Sequence, residues 1–445
     1  MNRASLSKYL EKFFWIYMFI NPALDLLNGM FFYYVLGINT LDVEFALPSL
    51  TPSLLVRMLV LLVFGIYLLI VWDKKAILTL IPIGVVLCLS VLSEFLFLGD
   101  VALFADVQYI TRFAYNIILL FVYARVFCGV WSNSSREELF SKLDVLISYT
   151  ITLLALTILI CYLLGIGYYT YGDPQGFRGN RGFFYAGNDV TAVLLVLTPI
   201  SAARFMQMKN KKFNLKTLVN LMPSALAANA LMIIGTKTAF IAIAATYALL
   251  LIYAVVIAVK KHETELLIGF FGAFGAVAGT FFVLMIFSGM DLLPAILASF
   301  LAPFEKAELD GMQIWTSGRE IKLGRHLEMF REGGPLVWLL GMGRGSQEHI
   351  LEMDVFEVVF YYGALGVVGM LWIYAKAGLD FVKGLFKNFD VIGFALLISV
   401  GMCTGYLVMA GHILFSVTSG FYYIFAIIYS RIHFAKGPEE IRLLK

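Results

Sequence analysis

Charge is scarce in this sequence. Asp, Glu, Lys and Arg make up 14% of 445 residues and apolar types 61%, against about 25% and roughly 45–50% in a soluble domain. A water-soluble globule is excluded. The few charges also balance, with 33 Lys and Arg against 30 Asp and Glu, which excludes a nucleic-acid binder working through a basic surface. Cysteine is sparse as well. Cys88, Cys128, Cys161 and Cys403 each sit singly in an apolar stretch, with neither the paired spacing of a zinc site nor a disulfide framework. There is no Walker or dinucleotide fingerprint, no internal repeat and no low-complexity tract. The basic start (Arg3, Lys8, Lys12) leads into an apolar run too long for a signal-peptide core and without a small-residue cleavage site, so this segment is expected to stay attached.

What the chain has in abundance is long apolar runs. A bilayer crossing needs about 20 mostly apolar residues, and about twelve such stretches are present, near 13–36, 53–72, 76–98, 105–127, 143–166, 186–205, 218–235, 238–259, 266–288, 355–375, 390–410 and 413–430. The expected fold is an all-α polytopic membrane protein, a single membrane domain over residues 1–445. With the N-terminus inside, 22 of the 33 Lys and Arg fall in inner segments, the bias expected of cytoplasmic loops. Both termini are therefore expected in the cytoplasm. The closest junctions lie between the seventh and eighth spans, at Gly235 to Lys237, and between the eleventh and twelfth, near Gly411 and His412. Residues 289–354 form a 66-residue outer segment, far longer than the usual helix connection, and are expected to fold on the membrane surface.

Basic residues on the outer side fall into two groups. Arg178 and Arg181 lie in GFRGNRGFF, wedged between aromatics ahead of the sixth span; the others, Lys237 apart, belong to the long segment. Lys306, Lys322 and Arg331 also fit as merely solvated residues, since long loops escape the charge bias. SGREIKLGRHLEMFREGG reads as one amphipathic helix, with Ser317 and Glu320 at capping-box spacing and Gly333, Gly334 and Pro335 ending it. Leu323, Leu327 and Phe330 share one face and Arg319, Lys322 and His326 another, a basic ridge open to an anionic group. GMGRGSQEHILEMD follows, with His349, Glu352 and Asp354 where the chain enters the tenth span; a carboxylate there fits a general base or a helix cap. Among charges within spans, Arg57, Glu94 and Arg112 are expected to pair for structure, while Lys237 opens the eighth span in IIGTKTAF beside the basic group.

The order GFRGNRGFFYAGND, IIGTKTAF, SGR, LLGMGRGS, EMD and YYGALGVVG resembles the O-antigen ligase and Wzy-type polysaccharide polymerase superfamily over roughly residues 165–375. NPALD of the first span and AGH of the penultimate turn are similar to capsule and exopolysaccharide polymerases. The resemblance implies a GT-C-like glycosyltransferase independent of metal, cofactor and nucleotide sugar, which moves glycan from an undecaprenyl-diphosphate-linked oligosaccharide to an acceptor hydroxyl on the outer side of the membrane, alongside other polysaccharide assembly proteins. It implies that Arg178 or Arg181 and Arg319 bind diphosphate, with Lys237 where the family often has Arg. Arg325 joins these candidates. Ligase members carry a His-Asn pair about eleven residues before the glycine of the tenth span; here Glu352 stands at that point.

The residue types suit this chemistry independently. Arginine presents a rigid fork to phosphate oxygens, and a preorganised cation stabilises charge growing on a departing phosphate. The attacking hydroxyl must lose a proton to a base across the sugar from the diphosphate. Glu352 is the first candidate, followed by Asp354 and His349. The competing readings are a ligase of finished glycan and, in another class, a flippase or exporter of lipid-linked sugars, for which a folded outer segment has little use.

Overall fold

The computed structural model describes residues 3–38, 51–98, 101–170, 179–208, 214–289, 291–305, 318–344, 351–409, 411, 413–442 and 444. Arg178, His349, Lys306, His412 and Ser317 lie outside the described residues. Every expected span is a helix: α1 (Arg3–Met30), α2 (Pro52–Ile70), α3 (Lys74–Ser93), α4 (Leu103–Asn133), α5 (Arg136–Leu164), α6 (Gly187–Gln207), α7 (Leu215–Ile234), α8 (Lys237–Lys261), α9 (Glu265–Ser288), then α13 (Asp354–Gly366) continuing through a wider turn into α14 (Trp372–Lys387), α15 (Val391–Met409) and α16 (Ser419–Phe434). Among the described residues ten helices are long and apolar enough to cross a membrane; α1 and α16 complete the set of expected spans. The protein is an all-α polytopic membrane protein.

Local chemistry sets the helix ends. Thr51, Asp73, Ser135 and Asn214 accept hydrogen bonds from backbone N–H groups of the first turns of α2, α3, α5 and α7. The junction between α7 and α8 needs only two residues because Gly235 takes a left-handed φ of 74°, ending one helix, while Thr236 caps the next at Ala239 N (3.2 Å). α6 is buried on nearly every side, as an all-round apolar helix must be, and packs against α7, α9, α15 and α16. Edge-to-face and tilted ring pairs among Phe14, Phe64, Tyr123, Phe127 and Phe421 tie α1, α2, α4 and α16 together at centroid distances of 5.0–6.0 Å.

The 289–354 segment contains α10 (Leu292–Glu305), α11 (Arg319–Glu332) and α12 (Gly334–Leu340). The expected amphipathic helix is α11, which ends at Gly333 as expected, and a second short helix, α12, follows it directly. α11 begins after Gly318, whose φ of 82° breaks the chain direction, without a side-chain cap. Its inward face is Arg319, Leu323, His326 and Phe330, spaced by four, three and four residues. His326 therefore leaves the expected basic ridge: it is buried beside Phe360 and Tyr361 of α13, and Phe330 packs edge-on to Phe360 at 5.3 Å. Leu327 points outward, with Lys322 and Arg325. The Gly-rich turn after α12 is held by protein, with Met342 and Gly343 N–H groups donating to the Phe360 and Tyr361 carbonyls at 2.8 and 3.0 Å. Those carbonyls are exposed by the non-helical Gly363 (φ 59°), and a Cβ on Gly341 would stand 2.2 Å from the Tyr361 oxygen, so both positions require glycine.

Candidate functional site

The polar groups converge at the end of the bundle where α11 lies. Asn180 N–H donates to the Ile233 carbonyl at 2.9 Å, placing the 179–186 segment against the turn that opens α8 at Lys237. The two basic motifs, more than fifty residues apart in sequence, are therefore neighbours. Arg181 stands over the Tyr168 and Tyr185 rings at 5.7 and 5.8 Å, and its Nε and Nη2 are buried without a hydrogen-bond partner. Burial holds the Arg181 guanidinium below the usual arginine range, with Tyr185 and Tyr168 opposing the shift. Gly187 leaves the space it occupies, since a Cβ there would meet Arg181 Cδ at 2.9 Å.

On the other side of the opening, Arg319 Nη2 contacts Glu352 Oε2 at 3.0 Å. Glu352 takes a left-handed φ of 61°, unfavourable for a residue with a side chain. Two contacts hold it there. Its N–H donates to Glu357 Oε1 at 2.8 Å, and its carbonyl lies so close to Gly411 that a Cβ would fall 2.4 Å away. Glu357 Oε2 in turn accepts from the Tyr109 hydroxyl. The Glu352 side chain keeps 36% of its accessibility, whereas Glu357 is buried.

Asp354 is the first residue of α13 but does not cap it; its carboxylate instead ties a distant turn to the helix start. Fully buried, its Oδ2 accepts from the Ile413 and Leu414 N–H groups at 2.6 and 2.7 Å, while Asn116 Nδ2 donates to the Leu414 and Ser416 carbonyls at 2.9 and 3.1 Å. This turn delays the last helix to Ser419. Asp354→Ala is expected to remove about 3 kcal/mol, two charge-assisted bonds at the low end of their range, which a lowered unfolding midpoint of the detergent-solubilised protein would register.

Between these groups lies a cavity of about 420 Å³ bordered by Asp25, Arg57, Arg112, Tyr185, Asp189 and Thr418, among others. Arg57 pairs as expected: Nη1 and Nη2 meet both Asp25 oxygens at 2.7 Å, and Asn21 accepts two further bonds. Glu94 is also occupied, accepting from the Ala102 and Arg344 N–H groups at 3.0 and 2.9 Å. Arg112 differs from the expectation. Its Nε is buried without a partner, and Asp189 is the acid that acts on it electrostatically. A larger cavity, about 800 Å³, lies at the opposite end beside the Arg204–Asp144 ion pair, remote from every candidate residue.

The fold thus brings Arg181 next to the α8 turn and Arg319 onto Glu352, and leaves Arg325 facing outward. Neither Arg181 nor Arg319 borders the 420 Å³ cavity directly; Tyr185, under Arg181, does. Tyr406 connects the two sides: its hydroxyl donates to the Asn188 carbonyl at 3.3 Å and it feels the charges of both Asp189 and Arg319. Arg112 and Glu357 were not singled out for this site by the sequence.

A bundle of apolar helices with cations and a half-exposed carboxylate gathered at one end defines a polytopic membrane protein with a polar site at its surface. Residues 7–294 match the family described as O-antigen ligase like membrane proteins. The chain belongs to that family. The matched stretch contains Arg112, Arg181 and Lys237 and ends before Arg319 and Glu352. No curated protein and no solved structure matches the chain.

Proposed function

We propose that this protein is a glycosyltransferase that extends undecaprenyl-diphosphate-linked oligosaccharide repeats for capsule or exopolysaccharide, working at the α11 end on the outer face of the membrane. Family membership supports glycan transfer in a membrane. The observation that carries the catalytic reading is the Arg319–Glu352 pair: a carboxylate held in a costly backbone conformation at the edge of the polar opening, one oxygen facing a guanidinium at 3.0 Å. In the reaction the bond from the anomeric carbon to the diphosphate oxygen breaks, the acceptor oxygen bonds to that carbon, and the acceptor proton passes to Glu352. The donor's own diphosphate is the leaving group, so the step draws on no ATP.

The resting geometry favours one distribution of roles. In a single displacement the base and the leaving group stand on opposite faces of the sugar, so a cation within 3.0 Å of the base serves the base's side. Arg319 then holds the Glu352 side chain in place and aimed. The diphosphate falls to the cations across the opening, Arg181 and Lys237 at the α8 start. Charge that develops on the departing phosphate is stabilised most by donors already fixed in place, and the Tyr168–Arg181–Tyr185 stack fixes one. A ligase acting on a different acceptor would use the same groups.

Purified protein in vesicles, given an undecaprenyl-diphosphate oligosaccharide and no ATP or nucleotide sugar, is expected to yield lipid-linked glycans longer by whole repeats. Recovery of the donor at its original length with every acceptor tried would overturn the polymerase and ligase readings together.

A further inference from the structure

At the end of the bundle opposite α11, the side expected in the cytoplasm, a cavity of about 290 Å³ lies between the α2–α3 turn, α4 and the segment after α16. Lys74, Lys75, Arg125 and Arg442 line it, and Asp73 is the one acid among the lining residues. Asp73 is already in use. One of its oxygens accepts from the Ala76 N–H at 3.1 Å, and the other stands 3.7 Å from Arg125. Lys75 donates to the neutral Leu444 carbonyl at 3.1 Å. Arg442 meets Glu439 at 3.4 Å through Nη1, while its Nε is buried without a hydrogen-bond partner. Four cations thus stand against two acids. On the rim, Trp72 holds a left-handed φ of 54° and closes α2 where glycine is usual, the Asp73 N–H returning to the Leu68 carbonyl at 2.9 Å across it. That conformation is unfavourable for a residue with a Cβ, and the indole is left 59% exposed rather than packed. Leu69 and Leu78, on the helices to either side, are exposed as well. Trp72 therefore stands where the apolar flank of the bundle gives way to the basic cavity, the boundary that tryptophan favours in a bilayer.

We propose that this cavity seats the headgroup of an anionic phospholipid, of the phosphatidylglycerol type, from the adjoining leaflet, with Trp72 against the junction of its headgroup and chains. Charge complementarity identifies the ligand, since a basic pocket between helices at the membrane surface attracts an anionic headgroup. A choline headgroup would bring its own cation to a site that already holds an excess of them. The size agrees: about 290 Å³ is the share of about ten waters at about 30 Å³ each, the bulk of a phosphoglycerol group. A free phosphate would satisfy the cations and leave the strained, exposed Trp72 without a reason. The site is also held ready. Arg431 donates to the Ile441 and Arg442 carbonyls at 2.7 and 2.8 Å, which fixes the segment carrying Arg442, so little order has to be imposed when the lipid binds. The seated lipid joins α2, α4 and that segment, three parts of the chain far apart in sequence.

The test uses the full-length protein in nanodiscs of equal parts phosphatidylcholine and phosphatidylglycerol, released into detergent and weighed intact by native mass spectrometry. Phosphatidylglycerol is expected to be retained over phosphatidylcholine by about tenfold or more. The double variant Arg125→Gln, Arg442→Gln is expected to lower that retention by about thirtyfold, from about fivefold for each cation near an anionic surface. Trp72→Gly keeps the test open should the double variant fail to fold, because glycine suits the left-handed backbone. Its unfolding midpoint in phosphatidylcholine alone is expected to equal or exceed that of the wild type, while phosphatidylglycerol retention falls by about threefold, the loss of one aromatic contact. Equal retention of the two lipids by the wild type, or unchanged phosphatidylglycerol retention in both variants, would overturn the site. Glycerol phosphate added in solution to phosphatidylcholine nanodiscs is expected to leave the midpoint unmoved; a rise as large as phosphatidylglycerol gives would mark a pocket for free phosphate and overturn the lipid assignment.

Discussion

Glu352→Gln is expected to lower the turnover of glycan transfer by about a hundredfold to ten-thousandfold, the usual contribution of a positioned general base. Glutamine has nearly the same shape and can still meet the Arg319 guanidinium through its carbonyl, so the backbone restraints on residue 352 persist. It cannot take a proton. Binding of the lipid-linked donor is therefore expected to change by less than about threefold, under 0.7 kcal/mol. Steady-state rates with a defined oligosaccharide donor, paired with donor binding in nanodiscs, check both parts. A wild-type rate would remove Glu352 from the chemistry. Asp354 could not inherit the role without releasing the Ile413 and Leu414 N–H groups, which would leave His349 as the remaining candidate.

Arg319→Lys separates two roles that the sequence could not. If Arg319 aims the base, an ammonium in its place keeps the charge and loses the planar fork. The carboxylate is then misplaced, and an error of about 1 Å costs on the order of a hundredfold in turnover. KM for the lipid donor is expected to stay within about twofold, because interactions made only during the reaction appear in kcat. A guanidinium gripping the donor's diphosphate would raise KM as well as lower kcat, because it holds the phosphate both before and during its departure. The split between the two constants therefore assigns Arg319 to the base or to the diphosphate.

The spans were legible because each is a run of apolar residues long enough for the bilayer, and the Gly235–Thr236 junction because those residue types end one helix and cap the next. The core position of α6 follows from the same signal: between Asp189 and Arg204 it carries no charge. The polar site was legible only in part. Motif order joined Arg181, Lys237, Arg319 and Glu352, but not which cation meets the carboxylate, since the Arg319–Glu352 contact spans 33 residues and the helix break at Gly333. His326 was misread because one helical face was taken for a basic ridge, when packing on α13 chose a face containing Arg319 and His326 together. Arg112 was missed for a related reason. Intramembrane charges were expected to pair with one another, and whether a given arginine finds its acid depends on tertiary placement; Arg57 found Asp25, 32 residues earlier, and Arg112 did not find an equivalent. The left-handed backbone at Glu352 left no trace in sequence, because glutamate rarely adopts it.

The central claim is that a glycosidic bond forms here as the carrier's diphosphate leaves. Mass analysis of free undecaprenyl diphosphate alongside glycan length tests it most directly. The wild-type protein is predicted to release one free carrier for each repeat joined, and Glu352→Gln almost none. Intact lipid-linked donor appearing on the opposite leaflet, with no free carrier and no longer glycan, would mark a transporter and contradict the account.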